Sequence, residues 1–462
     1  MKRKTIALLL AVLVTFTSCS SDDSIPQPTM EELLAEVNAE HQAIKAKVVD
    51  FSPYMKENPK QEEIDKYRQK NEVYDPDKSL TQQQAIEDVS FLFDAFHDCY
   101  GPYEYFGGAK VFDIAEEKIK KELQTKETLT AADLEKILLE NLKFIEDGHF
   151  KINMENSNPT KIPFFFREVA FIKTENGYQT TDGKKVQSIE GYDNLDELMK
   201  RSISPDGELV YYPVLLKDCG MLEALLSPQN CDEVLTVHYT NGKEQELTAE
   251  PYQVYTEFDL ENPKNTPITE FDKNGNIPVF QINSFKKEKT EETLKEAKKL
   301  KDEPIIILDL RSNAGGDGKI VEMWLNEYVG QTVPANTTSI NTCSGERLYS
   351  SRDRWIERDN LLIILMGKYT ASASEIFIDC SHNLENVLFI GENTNGALRS
   401  GAGEMYLPNS QCRVNIGEGT LSVFPENCNF EELRGFYPDI WVPAEEAEQA
   451  VIRMLKKQNM GI

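Results

Sequence analysis

The chain has 462 residues, 78 of them acidic and 50 basic, for a formal charge of −28 at pH 7 with its five histidines neutral. Such a charge excludes electrostatic attachment to nucleic acid phosphates or to anionic membranes. The length is too great for one core and implies two or three domains. No CxxC pair or His-rich spacing offers a zinc site, so neither a metal nor another cofactor is expected.

Residues 1–18 carry Lys2, Arg3 and Lys4, then the apolar stretch Ile6 to Phe16, then small residues. This pattern is a secretory signal peptide, too short to remain as a membrane span. Residues 19–79 are polar, with broken helical patterns and prolines at Pro26, Pro28, Pro53, Pro59 and Pro76, so their start is expected to be a flexible tether. Over residues 80–160 the pattern turns helical. Ile86, Val89, Phe93 and Phe96 share a face, and Thr130 with Asp133 has capping-box spacing ahead of Leu134, Ile137, Leu138 and Leu142. This helical domain delivers His149, which follows Gly148 and is expected at a helix end. Residues 161–260 read as β-rich, with strand, turn and short helix from Lys185 and a hairpin from Val234 turning at Asn241-Gly242.

Residues 261–462 hold the two most informative segments. An apolar strand from Ile305 to Leu310 ends in the turn Asn313, Ala314, Gly315 and Gly316, where missing side chains let backbone N–H groups approach a ligand. A second strand, Leu361 to Met366, leads through a turn into a helix with Ala373, Ile376, Phe377, Cys380 and Leu384 on one face. Ser372 stands at that strand-to-helix junction, where free helix N–H groups favour a developing anion. Serine there also suits a plain N-cap role, as does Ser374. Ligands in open α/β sheets collect outside the carboxyl ends of strands, where both turns lie.

The segments LDLRSNAGG (Leu308–Gly316), TASASEIF (Thr370–Phe377), FIGENTNGA (Phe389–Ala397), EDGH (Glu146–His149) and ELRGFYPDIWV (Glu432–Val442) together resemble the serine peptidases that include the tail-specific (C-terminal processing) proteases and the tricorn protease core. The resemblance implies an α/β fold with a ClpP/crotonase-like catalytic domain, an N-terminal helical domain and a β-rich PDZ-like insert able to accept a peptide strand. A β-rich insert without a peptide groove fits the sequence equally. Tail-specific members use a Ser–Lys dyad, and the lysine expected after Gly396 is here Ala397. Tricorn-like members use Ser, His and Glu, which carries over to Ser372 as nucleophile, His149 as base and Glu432 as orienter, with Glu431 as rival to Glu432. The serine that precedes the histidine in the tricorn core is here Gly148, leaving Asp147 as a substitute.

The chemistry points the same way, because a serine hydroxyl needs a neighbouring base. His41 and His97 lie in polar or amphipathic N-terminal stretches, His238 in a hairpin strand, and His382 about ten residues past Ser372 on its helix. The backbone N–H groups of Ala373 and of Gly315 or Gly316 are the expected oxyanion donors, while Arg311 and Asn313 are expected to brace the turn. The function expected is a serine endopeptidase acting on peptides or unfolded protein through an acyl-enzyme. The competing reading is a catalytically inactive peptide-binding scaffold; an esterase is disfavoured by the absence of a GxSxG elbow.

The ending TFTSC resembles a bacterial lipobox, which makes Cys19 the lipidated first residue of the mature chain. Ser20, Ser21, Asp22 and Asp23 resemble the acidic surface-export signal of Bacteroidetes lipoproteins. The location implied is the outer membrane, on its periplasmic side or at the cell surface. Seven further cysteines remain, with Cys219–Cys231 and Cys412–Cys428 the nearest candidate pairs.

Overall fold

The computed structural model describes residues 28–460, apart from 46, 58–60, 71, 350–353 and 426. The expected signal peptide and Cys19 lie outside the described residues. Among the described residues no helix is long and apolar enough to cross a membrane.

The first element departs from the expected irregular segment. Helix α1, Met30–Gln42, starts at Thr29 with a capping box to Glu32 and buries Met30, Leu33 and Val37, an i, i+3, i+7 stripe. Flanking prolines hide that stripe in the sequence. Its last turn is fixed by a contact between His41 Nε2 and Asp439 Oδ1 at 3.1 Å, so His41 is a buried structural residue. Helices α2 (Gln82–Cys99), α3 (Ala109–Leu123) and α4 (Ala131–Asn141) then pack into one core, and both α2 and α4 open with capping boxes, at Thr81 and Thr130. Helix α4 ends eight residues before His149, which therefore stands in a turn and not at a helix end.

The β-rich insert has its own core. It combines a five-stranded sheet, with the long strand Leu209–Cys219 paired to Thr160–Phe165, and a three-stranded sheet built on the hairpin Val234–Tyr239 and Glu244–Thr248.

The C-terminal half is a six-stranded sheet in the order β1 (Thr269–Asn274), β2 (Ile277–Ile282), β3 (Ile305–Asp309), β4 (Leu361–Met366), β5 (Val387–Gly391), β6 (Ile440–Trp441). Only the β1–β2 pair is antiparallel. The register sets Ile307 beside Ile363 and Ile364 beside Phe389. Because strand side chains alternate, Ile306, Leu308, Leu362 and Ile364 enter one core with α5 (Thr290–Leu300), α6 (Gly318–Val329) and α7 (Ala373–Ser381). Ile305, Ile307, Ile363 and Leu365 enter the opposite core with α1 and α8 (Ala447–Lys457). Strands covered on both faces must be apolar throughout, which explains IIIL and LLIILM. The chain is thus an α/β protein with an N-terminal helical unit and a β-rich insert.

Neither candidate pair is bonded: Cys99, Cys219, Cys231, Cys343, Cys380, Cys412 and Cys428 are all free thiols. Cys412 belongs to the helical core and Cys428 borders the core around α7, so their nearness in sequence does not bring them together. Cys219 and Cys231 both border the insert core without bonding.

Candidate active site

Strands β3 and β4 are neighbours, so the turns after them lie side by side. Three bonds lock the turns together: Thr370 Oγ1 donates to Leu310 O at 2.9 Å, Ala371 N to Asn313 O at 3.1 Å, and Ser374 Oγ to Asn313 O at 3.0 Å. Ser374 is thereby committed to structure. Ser372 is not: it sits at φ +56°, ψ −118°, partly exposed, and its N–H is held at 2.9 Å by Glu375 Oε2. Positive φ in a residue other than glycine is costly and persists only where surrounding contacts impose it.

His149 comes to this serine from the helical unit. Strand Lys151–Ile152 pairs with Arg413–Asn415 of the C-terminal half, fixing the turn before it. Within the turn, His149 N donates to Asp147 Oδ1 at 2.9 Å. His149 Nε2 then lies 3.0 Å from Ser372 Oγ. Burial holds the imidazole pKa below the ordinary histidine value, while the charge of Asp147 acts in the opposite direction. Asp147 is buried and its Oδ2 accepts from Tyr100 Oη at 2.7 Å.

Glu432 accepts no hydrogen bond directly from the imidazole among the described residues. It accepts from the backbone N–H of Gly148 at 2.9 Å, of Arg399 at 2.9 Å and of Leu398 at 3.3 Å. Its influence on His149 runs through the backbone of Gly148. Burial pushes its carboxyl well above the usual range; the charge of Asp147 adds to this and Arg399 opposes it. His149 Nδ1 has no hydrogen-bond partner among the described residues. The rival Glu431 is exposed and pairs with Arg434.

Gly148 has a steric reason for departing from serine. A Cβ there would lie 2.3 Å from Gly396 O and 2.9 Å from the Ala397 Cα and Cβ. The Gly148 backbone thus lies close against Gly396 and Ala397, with no room for a side chain between them.

Of the expected oxyanion donors, Gly315 is already engaged, since its N–H donates to Asn313 Oδ1 at 2.8 Å. Gly315 still matters for shape: at φ +109° a Cβ would come 2.8 Å from Ser372 Cβ. Neither Gly316 N–H nor Ala373 N–H donates to an acceptor among the described residues. Ala373 opens α7, where no intrahelical acceptor exists. Arg311 braces, holding Asp309 with a two-pronged contact and donating to Ala444 O at 2.7 Å.

Two supporting residues went unread in the sequence. Glu375 is buried, and besides Ser372 N it accepts from Gly396 N at 2.7 Å, Ala397 N at 2.9 Å and Thr394 Oγ1 at 2.5 Å. Its spacing from Ser372, S-x-x-E, was the available signal. Lys368 is fully buried and donates to Thr394 O at 2.7 Å, Asn395 O at 3.1 Å and Arg434 O at 3.3 Å, with burial lowering its pKa to about 7. A single lysine after an apolar strand gives no sequence cue. Among the described residues no group of His, Cys, Asp and Glu is arranged to hold a metal.

No curated protein sequence matches the chain. Among solved structures, mature CPAF is 13 % identical, with 82 % of this chain and 97 % of that chain covered and a TM-score of 0.41. A lipoprotein from Streptococcus agalactiae is 12 % identical, covering 84 % and 100 % at a TM-score of 0.40. The photosystem II D1 C-terminal processing protease is 13 % identical, covering 79 % and 94 % at 0.35. Superpositions this loose carry no argument about the site. The model of peptidase family S41 matches residues 276–440, the segment that holds both strand-end turns, and this part of the chain is similar to that family of peptidases.

Proposed function

We propose that this protein cleaves peptides or unfolded protein through an acyl-enzyme on Ser372, with His149 as the general base. The observation that carries the proposal is the 3.0 Å approach of His149 Nε2 to Ser372 Oγ, which is hydrogen-bond reach for proton transfer. Burial keeps the imidazole neutral at pH 7, so Nε2 is free to take the hydroxyl proton as Oγ attacks the carbonyl carbon. The N–H groups of Gly316 and Ala373 receive the oxyanion, and one such donor is worth about 3 kcal/mol in the transition state. The imidazolium next gives its proton to the leaving amine. Water, deprotonated by the same nitrogen, then releases the acyl group. Asp147 supplies the negative charge that steadies the imidazolium, and Glu432 acts as a positioning residue through Gly148.

The full chain exposed to a fluorophosphonate probe is expected to gain one adduct, mapped by peptide mass spectrometry to Ser372 and not to Ser374. An adduct elsewhere, or none, would remove Ser372 from the reaction. At the other end of the chain, the N-terminal sequence supports lipid attachment at Cys19 and residence at the outer membrane, on its periplasmic side or at the surface. Mass spectrometry of the N-terminal peptide is expected to show a diacylglyceryl-modified Cys19; an unmodified thiol there would exclude the anchor.

A further inference from the structure

Beside the nucleophile lies a cavity of about 270 Å³, near the lower end of the range for ligand pockets. Its wall on α7 is formed by Ala373, Ile376 and Asp379, residues three apart on one helix face. The hydroxyl residues Thr337, Ser339, Ser400, Thr420 and Ser422 share the remainder with apolar side chains that include Leu348 and Leu398. Ser339 Oγ and Ser422 Oγ bond to each other at 2.6 Å, and the Thr337 hydroxyl is buried beside the Asp379 carboxylate, which it stabilises. Among the described residues, Asp379 is the one ionisable lining side chain apart from His149 and the phenol of Tyr349.

Asp379 is 1 % exposed, and no cation is paired with it among the described residues. Its Oδ2 accepts from the backbone N–H of Asn336 at 3.0 Å and of Thr337 at 2.8 Å. Both bonds fall on one oxygen, so the other is not committed to this backbone. A carboxylate buried without a counter-charge is costly, and a cation entering the cavity offsets that cost. Burial raises its carboxyl to about pKa 6, so it is mostly ionised at neutral pH.

We propose that Asp379 is a specificity-determining residue, and that the cavity takes an arginine or lysine side chain adjoining the scissile bond. Seven residues separate Ser372 from Asp379, about 10 Å along the helix, a span suited to a long side chain. The hydroxyl lining supplies further acceptors for a guanidinium, and the charge of −28 on the chain draws cationic segments toward it. The inference rests on Ser372 being the nucleophile.

The test is kcat/KM of the full chain on peptides carrying arginine or its uncharged isostere citrulline at either position flanking the cut. Arginine is expected to exceed citrulline by about 30-fold or more at one of the two positions. In Asp379→Asn, whose amide oxygen can still accept from Asn336 and Thr337, that ratio is expected to fall to about threefold or less. Cleavage that depends on Ser372 but gives a parent ratio near one would overturn the pocket and leave the nucleophile standing. Cleavage unaffected by Ser372→Ala would instead overturn the nucleophile, and this inference with it. The parent ratio needs no variant to fold, so the result does not hinge on the stability of Asp379→Asn.

Discussion

Replacing Ser372 with alanine is expected to lower kcat by about 10⁵- to 10⁶-fold, the loss seen when the nucleophile of a serine peptidase is removed. The fold should survive. The Ser372 hydroxyl makes one described bond, to His149, worth about 1 kcal/mol, and its backbone is held by Glu375 and the locked turns, not by the hydroxyl. Alanine at φ +56° is no more strained than serine. Cleavage of an unfolded-protein pool by parent and variant, read by mass spectrometry of new termini beside a thermal melt, checks both halves. Equal cutting would exclude Ser372. If neither protein cuts while peptide still binds, the inactive-scaffold reading becomes the better one.

His149→Gln is expected to cost about 10⁴-fold or more, because a glutamine amide cannot take the hydroxyl proton and the serine is then a poor nucleophile. The pH profile separates this from a structural loss. With the folded histidine pKa held below its ordinary value by burial, the neutral, competent form persists through neutral pH. The parent kcat/KM should therefore stay level down to the ordinary histidine value and fall only below it. Residual activity of the variant should lack that acidic limb. A variant with the parent's limb would place the base on another group.

The sequence made the sheet and the nucleophile turn legible for physical reasons. Strands covered on both faces are written as unbroken apolar runs, and the turns that end them need glycine or small residues. The capping boxes at Thr81 and Thr130 are likewise local signals. What escaped reading depends on distant chain. Glu432 looks like any glutamate in an acidic chain, and its bonding to Gly148, Leu398 and Arg399 follows from a loop 33 to 284 residues away. Helix α1 was obscured by neighbouring prolines, and the buried positions of His41 and His382 follow from its docking against the sheet, where their rings stand 4.7 Å apart. Lys368 reveals nothing until the three carbonyls around it are in place.

Ser372 and His149, the proposed nucleophile and base, stand 223 residues apart in sequence and are held by different cores. This separation makes the proposed activity a property of assembly. A growing chain carries its base long before its serine is made, and a chain whose helical unit has come loose carries a serine without a base. Hydrolysis would then begin only after the two cores have docked and would stop at the first loosening between them. The peptidase would be silent during its own synthesis and export, when unfolded copies of itself are the nearest substrates.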